Sequence, residues 1–515
     1  MDFTILIAFI LYFVFVLAVG TYFYRRTKNM EDYVLGGREM NPYVTALSAQ
    51  ASDMSGWLLM GLPGAIFAFG LGEIWIGIGL AVGSYLAWLI IAKRLRQYSE
   101  KCGNALTVSQ FFSNRFRDEK GALKLICGIV ILVFFTFYVT SGFVAGGNLF
   151  GAIFGGEIDY TVSVLVTAAV IIGYTFLGGF KAVSWTDLIQ GILMLLAVIV
   201  IPLTMLGVIN GGWGEIVDIA NAEVSHFTDI MYDGGSPIGF IALVSLMAWG
   251  LGYFGMPHIL VRYMAIRDPE EVKVARRVGT IWVVIALTAV SVIALMAHAY
   301  LAQHPEVVLI DGNTENVIIS IIGGGLFPSI VAGILFAAIL AAIMSTADSQ
   351  LLVASSAVAN DLFDKFAKKK PTEQQLMWIS RIAVVIIAII ALILSLGENK
   401  SIMKLVSFAW AGFGSAFGAT MIMSLFWKRI NRQGAIAGIS VGALTAILWN
   451  IFMYKGGALS VAFNLDCCIV DTGIYELLPG FIFSLIAIVI VSLLTAPPSD
   501  EMQKEFDEAT EGKFY

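Results

Sequence analysis

An aspartate stands in the middle of an apolar stretch near the start of the chain. Asp53 lies in ALSAQASDMSGWLLMGLPGA, where Ser55 and Gly56 follow it among other small residues. A carboxylate at the centre of a membrane span costs about 2.5–3.5 kcal/mol on insertion scales, so Asp53 is a candidate for function. The small residues allow the helix to unwind, and unwound carbonyls can coordinate a cation. The alternative is a closely packed helix in which a neighbour hydrogen-bonds Asp53.

Hydroxyl groups cluster in a second apolar stretch, GILFAAILAAIMSTADSQLLV. Ser345, Thr346, Asp348 and Ser349 lie there within two helical turns. Oxygen donors suit sodium, which like other hard cations prefers oxygen ligands. Alternatively, the hydroxyls bond back to carbonyls of their own helix, as serine and threonine commonly do. Combined with unwound carbonyls from another helix, this stretch predicts a cation site.

Aromatic and helix-breaking residues alternate in a third stretch, LMAWGLGYFGMPHIL. Trp249, Tyr253 and Pro257 stand at i, i+4 and i+8, so the two rings share one face if the helix persists. Such rings suit the wall of a pocket for a small solute. The alternative is an aromatic belt at the headgroup level. His258 is more readily interpreted as structural, or as lying at the inner mouth, than as a ligand.

Three further residues are ambiguous by themselves. Tyr138 lies in FFTFYVTSGFVAGG, within another apolar stretch. Asp187 opens a span in GGFKAVSWTDLIQ, where it is either a carboxylate stabilised by the helix dipole or part of an inner ion pathway. Arg38, in VLGGREMNP, is either an ordinary basic loop residue or a gating charge.

The composition requires these residues to be held by membrane helices. Of 515 residues, 58% are hydrophobic and 13% are charged, and the mean hydropathy is +0.85. This excludes a soluble globular class and predicts a polytopic α-helical membrane protein in the lipid bilayer. There is no basic footprint for nucleic acid, and the four cysteines have neither zinc-ligand spacing nor the density of a disulfide scaffold.

The apolar stretches and charged breaks predict about thirteen transmembrane helices. With the N-terminus outside and the C-terminus cytoplasmic, all but three of the 31 lysines and arginines fall inside, in accord with the positive-inside rule. The exceptions are Lys400, Lys404 and Lys455. The predicted spans are 3–24, 41–69, 71–92, 121–150, 160–179, 187–208, 238–257, 278–301, 326–357, 377–396, 403–427, 433–453 and 477–495.

The second and seventh predicted spans both contain breaks and stand five spans apart. Two five-helix repeats that each begin with a discontinuous helix form the inverted-repeat layout of many secondary transporters. The predicted organisation follows: an additional N-terminal helix and loop, a first repeat, an external loop, a second repeat, two C-terminal helices and a cytoplasmic tail, at 1–40, 41–208, 209–237, 238–432, 433–496 and 497–515.

Nearly end to end, the chain resembles the sodium/solute symporters, and within that family the bacterial proline carriers. The resemblance is carried, in order, by DYVLGGR, VTALSAQASDMSGWLLMGLPGA, AVSWTDLIQ, SLMAWGLGYFGMPHIL, ILAAIMST and SFAWAGFGSAFG. It implies two inverted five-helix repeats of the LeuT type, with one extra helix at the N-terminus and two at the C-terminus. It also implies a carrier in the bacterial plasma membrane rather than an enzyme, with no cofactor and no obligate protein partner.

The resemblance implies roles for individual residues. It places sodium on the carbonyls of Ala51, Met54 and Ala342 and the hydroxyls of Ser345 and Thr346. Further implied roles are ion coupling for Asp53, Ser55 and Gly56, a proline pocket of Tyr138, Trp249, Tyr253 and Pro257, and ion access or gating for Arg38 and Asp187. Asp348 and Ser349 depart from the serine–cysteine pair expected there, so we hypothesise a second cation site formed by Asp348 and Asp187.

The expected activity is sodium-driven import of L-proline. Within the same class, the alternative is a symporter for another small solute, such as another amino acid or a carboxylate. From a different class, the alternative is a channel-like protein or solute sensor without coupled flux, since one scaffold can host several functions. Lithium ions or protons are alternatives to sodium as the coupled ion.

Overall fold

The computed structural model is a helical membrane protein. It describes residues 3–24, 26–27, 29–155, 157–363, 371–397, 400–454, 457–463 and 467–510. Ten of the described helices are long and apolar enough to cross a membrane, and a bent pair brings the number to eleven if it counts as one span. The prediction of a polytopic, multi-pass α-helical membrane protein is therefore confirmed. The basic residues at 365–370, Lys455 and Lys513 lie outside the described residues.

The helices and the single small hairpin follow one another along the chain. The first part contains α1 Phe3–Tyr24, α2 Met30–Leu35, α3 Pro42–Asp53, α4 Leu62–Phe69, α5 Ile74–Leu86, α6 Lys93–Lys101, α7 Val108–Arg115, α8 Ala122–Ile153, α9 Tyr160–Leu177, α10 Phe180–Val208, α11 Gly212–Glu223, β1 Tyr232–Asp233 and β2 Ser236–Pro237. The second part contains α12 Phe240–Met247, α13 Pro257–Ala265, α14 Val272–Gln303, α15 Val317–Ile321, α16 Ser329–Ala357, α17 Glu373–Ser395, α18 Ile402–Phe413, α19 Ala419–Phe426, α20 Arg432–Phe452, α21 Ala458–Ala462, α22 Leu477–Leu494 and α23 Asp500–Thr510.

The predicted break in the second span is present. The side chain of Asn41 caps α3, which ends at Asp53, and at Met54 the φ and ψ angles of −82° and 74° turn the chain out of the helix. A π-helical turn at Trp57–Gly61 then leads into α4. Gly56 permits this path, because a Cβ there would stand 2.8 Å from the Cβ of Ala145 in α8.

The seventh predicted span is also broken. After α12 the chain forms a 3₁₀ helix at Ala248–Phe254, and α13 then begins at Pro257 with a bend of 44°. Proline suits this first helical position because its missing N–H has no partner there in any helix. Gly252 allows close packing here, since a Cβ would stand 2.0 Å from Nε1 of Trp410.

The α-helix does not persist through this stretch, so the condition under which Trp249 and Tyr253 share one face is not met. In an α-helix, residues four apart differ by about 40° around the axis, whereas in a 3₁₀ helix they differ by about 120°. The two rings therefore point to different surroundings, described below.

A second correction concerns Asp187. Since α10 begins at Phe180, Asp187 lies two turns inside the helix rather than at its start. The helix dipole acts within the first turn only, so stabilisation by the dipole is wrong for this residue.

Candidate functional site

The predicted cation ligands of α3 and α16 meet in the protein interior. The Ala51 carbonyl accepts hydrogen bonds from Ser345 Oγ at 2.7 Å and from Thr346 Oγ1 at 3.3 Å. Ser345 Oγ also lies 3.2 Å from the carbonyl of Ala342. Met54, the fifth predicted ligand, is fully buried at the point where α3 ends. The carbonyl and hydroxyl oxygens of Ala51, Ala342, Ser345 and Thr346 thus converge.

This donor set has the chemistry of a site for a hard monovalent cation. Neutral carbonyl and hydroxyl oxygens replace the hydration shell of such an ion without burying net negative charge. Among the described residues, no group of three or more histidine, cysteine, aspartate or glutamate side chains is arranged to hold a metal ion. The chemistry therefore suits sodium better than a transition metal.

Asp53 connects the α3 break to three aromatic residues. Its carboxylate accepts a hydrogen bond from the hydroxyl of Tyr253. Its backbone carbonyl lies 3.1 Å from Nε1 of Trp57 and 3.4 Å from the hydroxyl of Tyr138. Ser55 Oγ accepts from the backbone N–H of Trp57 at 3.3 Å. Asp53, one of the predicted coupling residues, is therefore in direct contact with two of the predicted pocket residues, Tyr253 and Tyr138.

Trp249 lines a large cavity. The cavity has a volume of about 880 Å³ and is also lined by Ser245, Glu315, Ser407 and Tyr475. The Trp249 indole stacks on the ring of Tyr475, with centroids 5.0 Å apart and planes at 20°. Tyr138 and Tyr253 are not part of this lining. Of the predicted pocket residues, Trp249 therefore faces the cavity, while Tyr138, Tyr253 and the helix-starting Pro257 are buried beyond it.

Asp187 belongs to a buried network centred on Arg262. Arg262 Nη2 lies 2.9 Å from Asp187 Oδ2 and 2.6 Å from Ser349 Oγ, while Nε donates to Ser48 Oγ at 2.7 Å. Ser48 in turn donates to Asp187 Oδ2 at 2.6 Å. The side chains of Arg262 and Asp187 are 2% and 0% exposed. The positive-inside count includes Arg262, but this residue is a charge buried inside the protein rather than a solvated loop residue.

Asp348 borders this network through Ser349, whose Oγ lies 3.4 Å from Asp348 Oδ1. Oδ2 of Asp348 and Oδ1 of Asp187 are buried without a hydrogen-bond partner. Asp187 thus pairs with the guanidinium directly and Asp348 is connected to it through Ser349, and each carboxylate keeps an oxygen atom that a further cation could contact.

Arg38 is a buried connector rather than an ordinary loop charge. Its guanidinium donates to the Met264 carbonyl at 2.7 Å, the Ala105 carbonyl at 2.8 Å and Asn104 Oδ1 at 2.9 Å. Burial, followed by repulsion from Arg96, lowers the pKa of Arg38 to about 10. Arg38 therefore joins the loop before α3 to the ends of α6 and α13, the kind of position a gating charge would occupy.

The sequence interpretation missed several residues of this region. Arg262 could have been recognised, because it stands only five residues after Pro257, inside the helix that begins there. Ser48 is one of the small residues in the stretch around Asp53. Glu315 falls between the predicted spans 278–301 and 326–357, but its carboxylate accepts from Ser401 Oγ and from the backbone N–H groups of Ile402 and Met403 at 2.8–3.0 Å. For Tyr475 no sequence signal existed.

Known proteins are similar to this chain over nearly its whole length. Residues 33–442 match the model of the sodium:solute symporter family. The sodium/proline symporter of Escherichia coli (strain K12) is 43% identical over 505 residues, which are 98% of this chain and 96% of that protein. The high-affinity proline transporter of Bacillus subtilis (strain 168) is 44% identical over 492 residues, 96% and 98% of the two chains.

A solved structure is also similar. A substrate-bound, outward-open sodium-coupled sialic acid symporter aligns with a TM-score of 0.78 over 97% of this chain and 99% of its own. At 21% sequence identity, this likeness shows the fold alone.

Proposed function

Because this chain belongs to the sodium:solute symporter family, we propose that it is a secondary active symporter that imports L-proline together with sodium across the bacterial plasma membrane. Two relatives with 43% and 44% identity over nearly the whole chain are named as proline transporters, one of them as a sodium/proline symporter. The protein is a carrier and not an enzyme.

One observation carries the proposal: the last residues of α3 contact both the hydroxyls of α16 and the aromatic hydroxyls. Ala51 bonds to the hydroxyls of α16, and Asp53, two residues later, bonds to Tyr253 and Tyr138. A sodium ion held by the Ala51 carbonyl would fix the unwound end of α3. It would thereby fix Asp53 and the hydroxyl groups of Tyr253 and Tyr138 that bond to Asp53, and so order the solute pocket.

Coupling of this kind is reciprocal. If sodium raises the affinity for proline by a given factor, proline raises the affinity for sodium by the same factor. In alternating access, the loaded carrier then exposes both to the cytoplasm. The membrane potential supplies about 2.3 kcal/mol per charge per 100 mV, so one coupled sodium already drives appreciable accumulation.

The proposed transmembrane topology has thirteen spans. The ten long helices and the bent pair are joined by two shorter elements, α9 and the broken α3–α4 segment. We assign residues 41–208 and 238–432 to the two inverted repeats, with the N-terminus outside, the C-terminus in the cytoplasm, and 433–496 as two added helices. The cavity above Trp249 then faces outward, because it is lined by residues from the loops after α10 and α14.

Asp187 and Asp348 form the proposed second cation site. Arg262 already supplies one positive charge to Asp187, and Ser349 connects its guanidinium to Asp348. An ion binding there would have to share Asp187 with that guanidinium. A Hill coefficient for sodium above one in proline uptake supports the second site, and a coefficient indistinguishable from one argues against it.

The transport experiment uses purified protein in proteoliposomes. Labelled proline should accumulate above equilibrium with an inward sodium gradient, and potassium in place of sodium should abolish the accumulation. Equilibration of proline without sodium contradicts the symporter. A panel of unlabelled amino acids and carboxylates, and lithium or proton gradients, then tests the solute and ion.

A further inference from the structure

We propose that Tyr475 is a positioning residue that holds Trp249 over the bound solute and so forms the outer lid of the transport site. The inference rests on the proposed function and extends it to a residue outside the two proposed repeats. Tyr475 stands directly before the last apolar helix, α22. Neither its sequence context nor the family resemblance gave it a role.

Three contacts hold Tyr475 in place. Its ring stacks on the Trp249 indole with centroids 5.0 Å apart. Its hydroxyl donates to the carbonyl of Ser407 in α18 at 2.7 Å, and its backbone N–H donates to Ser245 Oγ in α12 at 2.6 Å. The loop before α22 is therefore hydrogen-bonded to two helices that line the outer cavity, α18 and α12.

The position of Trp249 makes the stacked pair a barrier. Trp249 and Tyr475 both line the cavity of about 880 Å³, yet they are only 5% and 8% exposed. Tyr253 lies four residues further along the 3₁₀ helix, about 8 Å deeper at a rise of 2.0 Å per residue, and bonds to Asp53. A solute in the cavity therefore meets Trp249 before Tyr253 and Asp53, which do not line the cavity.

The backbone of Trp249 is held independently of Tyr475, because its carbonyl accepts a hydrogen bond from Trp410 Nε1 at 2.7 Å. The Trp249 indole also lies near Trp57, with ring centroids 6.4 Å apart. The backbone can therefore keep its place while the indole rotates away. Opening the path separates the indole from the Tyr475 ring, and closing it restores the stack above the solute.

The test compares Tyr475→Ala with Tyr475→Phe, which retains the ring and loses only the bond to Ser407. Each variant is measured for proline KM, for the sodium concentration that gives half-maximal uptake, and for the rate at which bound labelled proline dissociates when excess unlabelled proline is added. Tyr43→Ala is the control, because the Tyr43 side chain is 59% exposed at the start of α3.

Tyr475→Ala should raise the dissociation rate and the KM for proline about tenfold, since both the stack and the hydrogen bond are lost. Tyr475→Phe should raise both about threefold, and the sodium requirement should stay within twofold of wild type in both variants. If the dissociation rate and the KM of Tyr475→Ala stay within twofold of wild type, the proposal that Tyr475 forms the lid is wrong. Equal loss of binding in both variants, with a raised sodium requirement, also overturns it, because the tyrosine would then be a structural residue.

The wild-type and Tyr43→Ala proteins separate this proposal from the proposed function. If neither accumulates proline with sodium, the symporter itself is wrong. If both accumulate proline with sodium and Tyr475→Ala has the same kinetics, the proposed function stands and only the role of Tyr475 as a lid is wrong.

Discussion

The ion pair of Arg262 and Asp187 allows the sharpest test of the interior. Arg262→Met removes a guanidinium that makes hydrogen bonds to Asp187, Ser48 and Ser349 in a region where both charged partners are almost fully buried. Asp187→Asn removes the opposite charge. Each single change leaves one member of this buried pair without its opposite charge, whereas the double variant removes both charges of the pair.

The expected loss of unfolding free energy follows from removing one charge of the pair and leaving the other. Breaking a buried pair by removing one partner costs about 3–5 kcal/mol, while replacing both partners with neutral groups is often close to neutral. We therefore expect each single variant to lose about 3–5 kcal/mol of unfolding free energy. The double variant Asp187→Asn/Arg262→Met should lose less than either single variant, which corresponds to a coupling energy of about 3 kcal/mol or more.

The assay is unfolding of the purified protein in mixed micelles as the fraction of denaturing detergent rises, followed by circular dichroism. Arg267→Met is the matched control, because Arg267 lies five residues further on and pairs at the surface with Glu271. It should unfold like wild type. Additive losses in the double variant, or single variants as stable as Arg267→Met, would refute a buried charge pair.

Three further predictions concern the transport site and the outer face. Asp53→Asn and Thr346→Ala should raise the sodium concentration required for half-maximal proline uptake, whereas Trp249→Ala should mainly raise the KM for proline; unchanged uptake kinetics in all three would remove the site assignment. Glu315→Ala should lower the unfolding free energy by about 1–3 kcal/mol, because three donors at the start of α18 lose their acceptor; an unchanged denaturation midpoint would contradict this. Burial raises the pKa of Glu476, which stands directly before α22, to about 7. The protonated carboxyl group therefore stabilises the folded state. This contribution is fully present below the unfolded-state pKa of about 4.5 and is lost as the pH rises through about 7. Stability should therefore fall between pH 5 and pH 8 in wild type, and fall less in Glu476→Gln, as measured by unfolding at each pH.

Much of the architecture is determined by local sequence. Twenty or so apolar residues in a row form a membrane helix wherever they occur, so hydropathy located the long helices without knowledge of their neighbours. The two helix breaks were equally local, because Gly56 and the sequence around Pro257 weaken a helix by their own backbone properties. The hydroxyls of Ser345 and Thr346 stood out for the same reason, as polar groups in an apolar stretch.

The pairing of distant residues was determined only by the tertiary structure. Arg262 and Ser48 are 214 residues apart in sequence, and Tyr475 and Ser245 are 230 apart. Hydropathy identified Arg262 as a basic residue near a span end but could not distinguish a solvated loop charge from a buried partner of Asp187. Burial and pairing depend on which helix faces pack together, and that is a property of the assembled bundle rather than of any single segment.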